Sequence, residues 1–347
     1  MKLSVGIVGV TGYAGQELLR LLLAHPHVCV SYLASRRLQE STPLGERLPA
    51  FANEELEIHP FRVKEALDRT DLLFLALPPG VAMELAPQLL RKEGQKIVDL
   101  SGDFRLSSAG VFAKAYGMPH RKPALLREAA YGLPELNRER IQKVRWVANP
   151  GCYPTAALLA LSPLAEAGLL KPVGTVIDAK SGITGAGRSA KEETLFSELN
   201  ENLRAYKVGG HQHVPEMEQE LRRVGRKNVR LLFVPHLVPM DRGIHATIYA
   251  PLTRRVPEKK LRSLLIQRYQ NEPFIRILPE GVWPQTKAVT GTNFCDINLR
   301  LDPVSNQLVI LSAIDNLGKG AAGQAVQNMN LLCGSAETTG LLSEAGR

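Results

Sequence analysis

One cysteine stands where an apolar strand meets an apolar helix, a position that favours a reactive thiolate. Cys152 lies in the stretch NPGCYPT, residues 149–155. Residues 144–148 predict a buried strand, and residues 156–167 carry leucines and alanines at helical spacing after Pro154 at a first-turn position. A thiol there faces unpaired helix N–H groups, which can lower its pKa from about 8.5 toward neutrality. The position indicates a nucleophile, although a buried structural cysteine would have the same neighbours.

Two histidines form a second chemical constellation in the stretch GGHQHVPE, residues 209–216. In an extended segment His211 and His213 would point the same way, and with Glu216 they could hold a metal, as in a metallohydrolase. A third convincing ligand is not evident, and Glu216 also fits the first turn of a helix. We therefore expect no metal site, because one histidine acting with the thiol needs fewer coincidences.

Three further stretches of the second half could bind an anion or pack closely on a ligand. The stretch KSGITGAGR follows an apolar strand at 175–179 and could present N–H groups to an anion with Arg188 as the counter-charge, or be a flexible loop. Arg242 stands where a turn meets a strand at 245–250, and it suits a substrate carboxylate or an ion pair with Asp241 or another acid. After a strand at 310–314, small residues at 315–325 allow close backbone approach and lead into a helix, which we expect to return to the first domain and close the nicotinamide pocket.

The elements that must position these groups begin with a strand, a glycine turn and a helix. Residues 3–8 are apolar, residues 9–15 read GVTGYAG, and leucines from Leu18 onward have helical spacing. In a dinucleotide fingerprint Gly9 would make the tight turn, Gly12 would let the backbone approach the pyrophosphate, and Gly15 would let the helix pack on the strand. An ordinary strand-to-helix turn is the alternative.

The following loops indicate NADP rather than NAD. The strand at 28–34 ends in Ser35-Arg36-Arg37, where an NAD enzyme would carry a carboxylate, and arginines suit a 2′-phosphate. Predicted strands at 71–77 and 96–100 lead into loops that contain Pro79 and Ser101. Parallel sheets of this kind bind ligands beyond the carboxyl ends of their strands.

Length and composition narrow the class of protein. The chain has 347 residues, 44% of them apolar, which suggests two domains. Its four cysteines lack metal-type spacing, no signal peptide is evident, and no apolar run reaches the roughly 18 residues of a membrane span, so we expect a cytoplasmic protein. The net charge of +9 is scattered, without an arginine-rich tract, which argues against nucleic acid and favours small anionic ligands.

Taken together, these stretches resemble the N-acetyl-gamma-glutamyl-phosphate reductase family, NADP-dependent enzymes of arginine biosynthesis related to aspartate-semialdehyde dehydrogenase. The resemblance covers nearly the whole chain and is carried by residues 9–15, 131–137, 149–155, 180–188, 211–216, 235–244 and 320–325. Two positions depart from the pattern: Gln212, where the family often has a basic residue, and Thr184, where it often has a serine.

The resemblance implies an α/β fold with a Rossmann domain at 1–148 plus 315–347 and an α+β catalytic and dimerisation domain of the semialdehyde dehydrogenase type at 149–314, assembled as a homodimer or homotetramer. It implies that Cys152 is the nucleophile and His211 the base and proton donor. The expected NADP(H) contacts are Gly9, Thr11, Gly12, Tyr13, Ala14, Gly15, Ser35, Arg36, Pro79, Ser101, Gly182 and Asn316. The expected substrate contacts are Arg105, Asn149, Ser181, Arg188, His213, Glu216 and Arg242.

The implied reaction is reduction of a small anionic acyl phosphate, with release of phosphate, through a thioester on Cys152. A related reductase of carrier-protein-linked aminoadipyl phosphate in lysine biosynthesis would have a similar sequence. An inactive NADPH-sensing regulator is the alternative from another class. Aspartate-semialdehyde dehydrogenase itself is disfavoured, because its sequence around the nucleophile differs.

Overall fold

Strands and helices alternate from Leu3 to Leu332 in the computed structural model, which describes residues 2–342. The chain forms two compact units, the first from residues 1–150 with 321–347 and the second from 151–320. The domain limits predicted from the sequence were 148/149 and 314/315. In the structure, residues 315–320 lie in the second unit instead of the first. The expected two-domain α/β fold is confirmed by two separate sheets.

The first unit is built on a sheet of eight strands. Its strands are β1 (Leu3–Val8), β2 (Val28–Ser35), β3 (Thr42–Pro43), β4 (Glu57–Pro60), β5 (Leu72–Leu75), β6 (Lys96–Asp99), β7 (Ala129–Tyr131) and β8 (Trp146–Ala148). Its helices up to residue 150 are α1 (Tyr13–Leu23), α2 (Leu44–Arg47), α3 (Val63–Arg69), α4 (Ala82–Leu89), α5 (Ala109–Tyr116) and α6 (Pro134–Ile141), with 3-10 turns at Pro49–Phe51 and Pro123–Arg127. The strand order is β3-β4-β2-β1-β5-β6-β8-β7, and all neighbours are parallel except β3 and β4.

The central strands of this sheet are apolar on both faces, because a core packs against each face. In β5, Leu72 and Phe74 belong to one core cluster, whereas Leu73 and Leu75 belong to another. This strand is shorter than the predicted 71–77, since the chain leaves the sheet before Pro78.

The second unit contains a mixed sheet of seven strands. Its helices are α7 (Cys152–Glu166), α8 (Phe196–Leu199), α9 (His213–Gly225), α10 (Glu258–Tyr269) and α11 (Thr286–Val289). Its strands are β9 (Thr175–Ser181), β10 (Arg204–Ala205), β11 (Leu231–Leu237), β12 (Ile244–Ala250), β13 (Ile275–Ile277), β14 (Cys295–Leu301) and β15 (Leu308–Ile314), in the order β10-β11-β9-β12-β15-β14-β13. Short 3-10 turns lie at Ile183–Ala186 and Glu192–Thr194.

Strand β11 was not predicted from the sequence, because Pro235 lacks the N–H of an ordinary central strand. It is tolerated near the sheet edge, where only the two-residue strand β10 pairs with β11 on that side. Helix α7 is buried over residues 153–165, which explains why its sequence is apolar all round rather than on one stripe.

The last helix, α12 (Gly323–Leu332), returns the chain to the first unit after a π-helical turn at Gly318–Ala322. All ten of its residues are buried, and it packs against α1, α6 and β6. Ala325, Val326 and Met329 belong to the same core cluster as β1. The small-residue pattern therefore predicted the return correctly, and the helix begins at Gly323, near the end of the stretch 315–325. No helix within residues 2–342 is long and apolar enough to cross a membrane.

Candidate active site

Cys152 is the first residue of α7, as its sequence position predicted. Gly151 before it is extended, with φ −67° and ψ 154°, and no side chain caps the helix. The first N–H groups of a helix have no partner within the helix, so they point toward the side on which Cys152 lies. The thiol is half-buried and outside any disulfide.

Two glycines allow close approach to the cysteine. A Cβ on Gly151 would lie 2.5 Å from Nε2 of His213, and a Cβ on Gly320 would lie 2.9 Å from Cβ of Cys152. Any side chain at either position would displace its neighbour. The sequence showed small residues here but not which groups they approach.

Glu216 joins α9 to the residue before the nucleophile. Its Oε1 accepts a hydrogen bond of 2.8 Å from the Gly151 N–H, and the residue is 1% exposed. Together with the His213 ring, this bond fixes the first turn of α9 against the start of α7. Glu216 is thus a first-turn helix residue, one of the two expectations, and it holds the backbone beside Cys152.

The two histidines do not lie in an extended segment, and that expectation was wrong. His213 is the first residue of α9, and its N–H donates to Nδ1 of His211 at 3.2 Å. The rings are still close, with centroids 4.6 Å apart, because the helix start folds one over the other. Since Nδ1 accepts this bond, the neutral His211 ring carries its proton on Nε2.

His211 is enclosed by aromatic rings. The ring centroids of Phe233, Tyr153 and Tyr206 lie 5.2, 5.8 and 5.8 Å away, all near edge-on. Burial, with a smaller effect of the Lys207 charge, lowers the pKa of His211 to about 4. The imidazole is therefore neutral at pH 7 in this structure.

Two tyrosines complete this surrounding, and sequence reasoning missed both. The hydroxyl of Tyr206 donates to that of Tyr153 at 3.1 Å. Burial raises the pKa of Tyr206 to about 12, and negative charge on Cys152 acts in the same direction. Burial also raises the pKa of Tyr153, again with a contribution from Cys152. Both hydroxyls thus lie within electrostatic reach of the thiol. The only sequence signal was that Tyr153 follows Cys152.

Arg242 forms an ion pair within the second unit. Its Nε and Nη2 lie 3.2 and 3.0 Å from the two carboxylate oxygens of Asp315, which is fully buried. The sequence left a substrate carboxylate or an acid partner open, and the partner found is Asp315 rather than Asp241. The Arg242 side chain is 22% exposed, so its guanidinium still reaches the surface.

The loop at residues 180–188, expected to bind an anion, is hydrogen-bonded to Asn316, the residue after Asp315. Asn316 accepts from the Gly243 N–H at 2.7 Å and donates to Thr184 Oγ1 at 2.9 Å. Ser181 is buried and donates to the Gly182 carbonyl. Arg188 follows on an exposed stretch, so of the residues expected here it is the one most accessible to solvent.

The glycine turn of the first unit has the geometry that its spacing predicted. Gly9 has φ +97°, and a Cβ there would lie 2.2 Å from the Ala76 carbonyl oxygen. A Cβ on Gly15 would lie 2.4 Å from the Gly9 oxygen, whereas one on Gly12 would meet nothing closer than 3.6 Å. Gly9 and Gly15 are needed for the fold, but Gly12 is not. Space beside Gly12 is therefore open to a ligand.

Helix α1 begins directly after Gly12, so the N–H groups of its first turn, at Tyr13, Ala14 and Gly15, could bind an anion together with the backbone at Thr11. At the end of β2, Ser35 is buried and accepts from the Arg37 N–H, while Arg36 is exposed. A dinucleotide with a 2′-phosphate fits this donor set.

The remaining expected residues of the first unit differ in accessibility. Pro79 is exposed, whereas Ser101 is buried and donates to Asp99. Arg105 donates from Nε to the Asn149 carbonyl at 2.7 Å and from Nη2 to the Leu100 carbonyl at 2.8 Å. The Asn149 amide is itself held by Ala321 and Asn328. These bonds organise the carboxyl edge of the sheet.

Within residues 2–342 no group of three His, Cys, Asp or Glu side chains could hold a metal ion. The histidine pair is instead packed among aromatic rings.

Comparison with known proteins covers both units. Residues 4–144 match the family model of the semialdehyde dehydrogenase NAD binding domain, and residues 152–316 match that of the semialdehyde dehydrogenase dimerisation domain. The chain is 48% identical over 345 residues to N-acetyl-gamma-glutamyl-phosphate reductase of Desulforudis audaxviator and 50% identical over 340 residues to that of Alkalilimnicola ehrlichii, each time covering 98% of both chains.

Solved structures show the same fold at low sequence identity. Aspartate semialdehyde dehydrogenase II of Vibrio cholerae, complexed with ASA, aligns with a TM-score of 0.72 and 16% identity, covering 96% of this chain and 98% of that one. The Candida albicans aspartate semialdehyde dehydrogenase with NADP aligns with a TM-score of 0.71 and 15% identity, covering 96% and 99%.

Proposed function

Because the chain belongs to the N-acetyl-gamma-glutamyl-phosphate reductase family, we propose that it reduces N-acetyl-gamma-glutamyl phosphate to N-acetylglutamate 5-semialdehyde and phosphate in arginine biosynthesis. NADPH is the reductant. The observation that carries the proposal is the start of α7, where Cys152 lies beside helix N–H groups and Glu216 and His213 fix the preceding residue.

In the proposed mechanism the Cys152 thiolate attacks the acyl carbon, and phosphate leaves with the electron pair of the broken C–O bond. NADPH, when bound, supplies the hydride that reduces the resulting thioester. The N–H groups at the start of α7 hold the oxyanion at each stage, where one such donor is typically worth about 10² to 10³ in rate. Collapse of the thiohemiacetal breaks the C–S bond and returns the thiolate.

His211 would handle the protons in this scheme. Its Nδ1 accepts from the His213 N–H, so Nε2 carries the proton and is the atom that can donate to the substrate oxygen. Its enclosure by aromatic rings fixes the direction in which Nε2 points. Among the three candidate arginines, we propose that Arg188 meets the substrate carboxylate, because it is exposed to solvent.

The cofactor site that we propose is the carboxyl edge of the first sheet, with the pyrophosphate on residues 9–15 and the 2′-phosphate near Ser35 and Arg36. We propose that the first unit, residues 1–150 with 321–347, is the Rossmann domain and that the second unit, residues 151–320, is the catalytic and dimerisation domain. The match to a dimerisation domain supports an oligomer. A homodimer or homotetramer could use the sheet face on which Asp178, Lys180 and His236 are only half-buried. We place the reaction in the cytoplasm.

The test is the reverse reaction, because the acyl phosphate hydrolyses easily. N-acetylglutamate semialdehyde, phosphate and NADP⁺ are mixed with the enzyme, NADPH absorbance is followed, and Cys152→Ser is the control. Phosphate-dependent NADPH formation that disappears in the variant supports the proposal. Turnover of only the carrier-linked six-carbon aldehyde would favour the lysine-pathway alternative. NADPH binding without turnover of either would favour the regulator.

A further inference from the structure

A buried carboxylate in the first unit connects two loops at the carboxyl edge of the sheet. Asp103 follows β6 and is 0% exposed. Its Oδ1 accepts a hydrogen bond of 2.7 Å from the Gly80 N–H, and its Oδ2 accepts one of 2.9 Å from the Met83 N–H. Gly80 lies in the turn after β5, and Met83 lies in the first turn of α4. One side chain therefore fixes the whole passage from β5 into α4.

Asp103 is held in place by a chain of polar contacts. Its N–H donates to Ser101 Oγ at 3.2 Å, and that hydroxyl donates to Asp99 Oδ2 at 3.0 Å. The Asp103 carbonyl oxygen lies 3.0 Å from Nε2 of buried His120. Ser101 is therefore occupied inside the protein, which favours an indirect role for it over the direct cofactor contact expected from the sequence.

The turn that Asp103 fixes contains Pro79, one of the residues proposed to contact the cofactor. Pro79 is exposed, and Gly80 has φ +90°, one of many conformations open to a glycine, so the turn has conformational freedom that the bonds to Asp103 remove. It lies just beyond the carboxyl end of β5, where sheets of this kind bind their ligands. A dinucleotide would bind more tightly to a turn already held in this conformation than to one that it must order.

We propose that Asp103 is a positioning residue for NADPH, which holds the turn at residues 78–81 in its receiving conformation before the cofactor binds. This inference rests on the proposed cofactor site at this edge of the sheet. Both carboxylate oxygens are required, because each accepts from a different backbone N–H. In Asp103→Asn the amide nitrogen would face one of those N–H groups, so one bond is replaced by a contact between two donors.

The experiment is a fluorescence titration of NADPH into the full chain. Because a hydrogen bond to a charged group is stronger than one between neutral groups, and one such bond is lost, we expect the Kd for NADPH to rise about tenfold or more in Asp103→Asn. In the reverse reaction KM for NADP⁺ should rise in parallel, while kcat at saturating NADP⁺ and KM for the semialdehyde change less than twofold (about 0.4 kcal/mol). A purely structural role would lower the amount of active enzyme without separating these constants.

Asp302→Asn is the matched control. Asp302 also accepts from two backbone N–H groups in a turn, those of Val304 and Ser305, but it lies in the second unit. Its variant should bind NADPH with the wild-type Kd. Unchanged NADPH binding in folded Asp103→Asn, or an equal loss in Asp302→Asn, would overturn the inference. Wild-type protein that fails to bind NADPH would instead defeat the proposed cofactor site.

Hydrogen exchange on the wild-type protein provides a test that needs no variant to fold. If the turn is formed in advance, the Gly80 and Met83 amides are protected without NADPH. Rapid exchange of both amides in the NADPH-free protein, with protection only after NADPH is added, would show that the cofactor rather than Asp103 orders the turn.

Discussion

Replacing Gly151 by alanine should separate the geometry of the histidine pair from the chemistry of Cys152. The added Cβ would lie 2.5, 2.8 and 2.9 Å from Nε2, Cε1 and Cδ2 of His213, whereas ordinary contacts begin near 3.4 Å. The ring must therefore retreat by roughly 1 Å. His213 is only 8% exposed and its N–H bonds His211, so both histidines would move.

This displacement sets the size of the expected effect. Overpacking of a filled site typically costs about 1–3 kcal/mol, so the free energy of unfolding should fall by that amount. A shift of about 1 Å in a catalytic group can lower the rate by about 10². We expect kcat to fall about 100-fold and the Kd for NADPH to stay unchanged, since the pyrophosphate site that we propose is built from residues 9–15 of the first unit, whereas His213 belongs to the second unit.

The assay is reverse turnover at saturating NADP⁺, with urea unfolding measured on the same samples. Gly210→Ala is the control, because Gly210 precedes His211 directly and a Cβ there would have no atom within 4 Å. That variant should keep wild-type kcat and stability. Wild-type kcat in folded Gly151→Ala would refute the reasoning. An equal loss in Gly210→Ala would mean that stiffness of the segment, rather than contact with His213, controls the rate.

Gly12→Ala should leave thermal stability unchanged and weaken NADPH binding at least tenfold in a titration (about 1.4 kcal/mol), while Gly15→Ala should lower Tm because its Cβ meets backbone. Burial, with the Asp103 charge, raises the pKa of Asp99 to about 7. Native Asp99 then holds its proton while the unfolded chain loses it, so wild-type stability falls as pH rises from about 4 to 7. Asp99→Asn should be about 2–4 kcal/mol more stable than wild type in urea at pH 8, with a smaller difference at pH 5. His211, with its pKa lowered to about 4, has the opposite sign, because the unfolded chain binds a proton first as pH falls below 6.5. His211→Asn should remove about 2 kcal/mol of the stability loss between pH 7.5 and 5, measured by urea unfolding.

The parts of the fold that the sequence predicted well are those specified by local pattern. Strand β1 was predicted with its observed limits, because a continuous apolar run bounded by a glycine turn leaves little choice. The start of α7 at Cys152 followed for the same reason. The limits of strands were less certain wherever a proline intervened, as at Pro78 and Pro235.

The contacts that organise the site could not be predicted, because they join residues far apart in the chain. Gly151 and Glu216 are 65 positions apart, and Arg242 and Asp315 are 73 apart. Nothing in either local sequence indicates the partner. The histidine pair shows a different failure: alternation predicted a shared direction in an extended chain, but a helix start brought the rings together by another route.

The return of α12 to the first unit has a consequence for the order of folding during synthesis. The core face formed by α1, α6 and β6 needs Ala325, Val326 and Met329, yet residues 151–320 are translated before them. At about 5–20 residues per second, this face stays uncovered for on the order of ten seconds or more, while the second unit can already be complete. During this interval the first unit, which still lacks α12, exposes apolar surface that chaperones can bind.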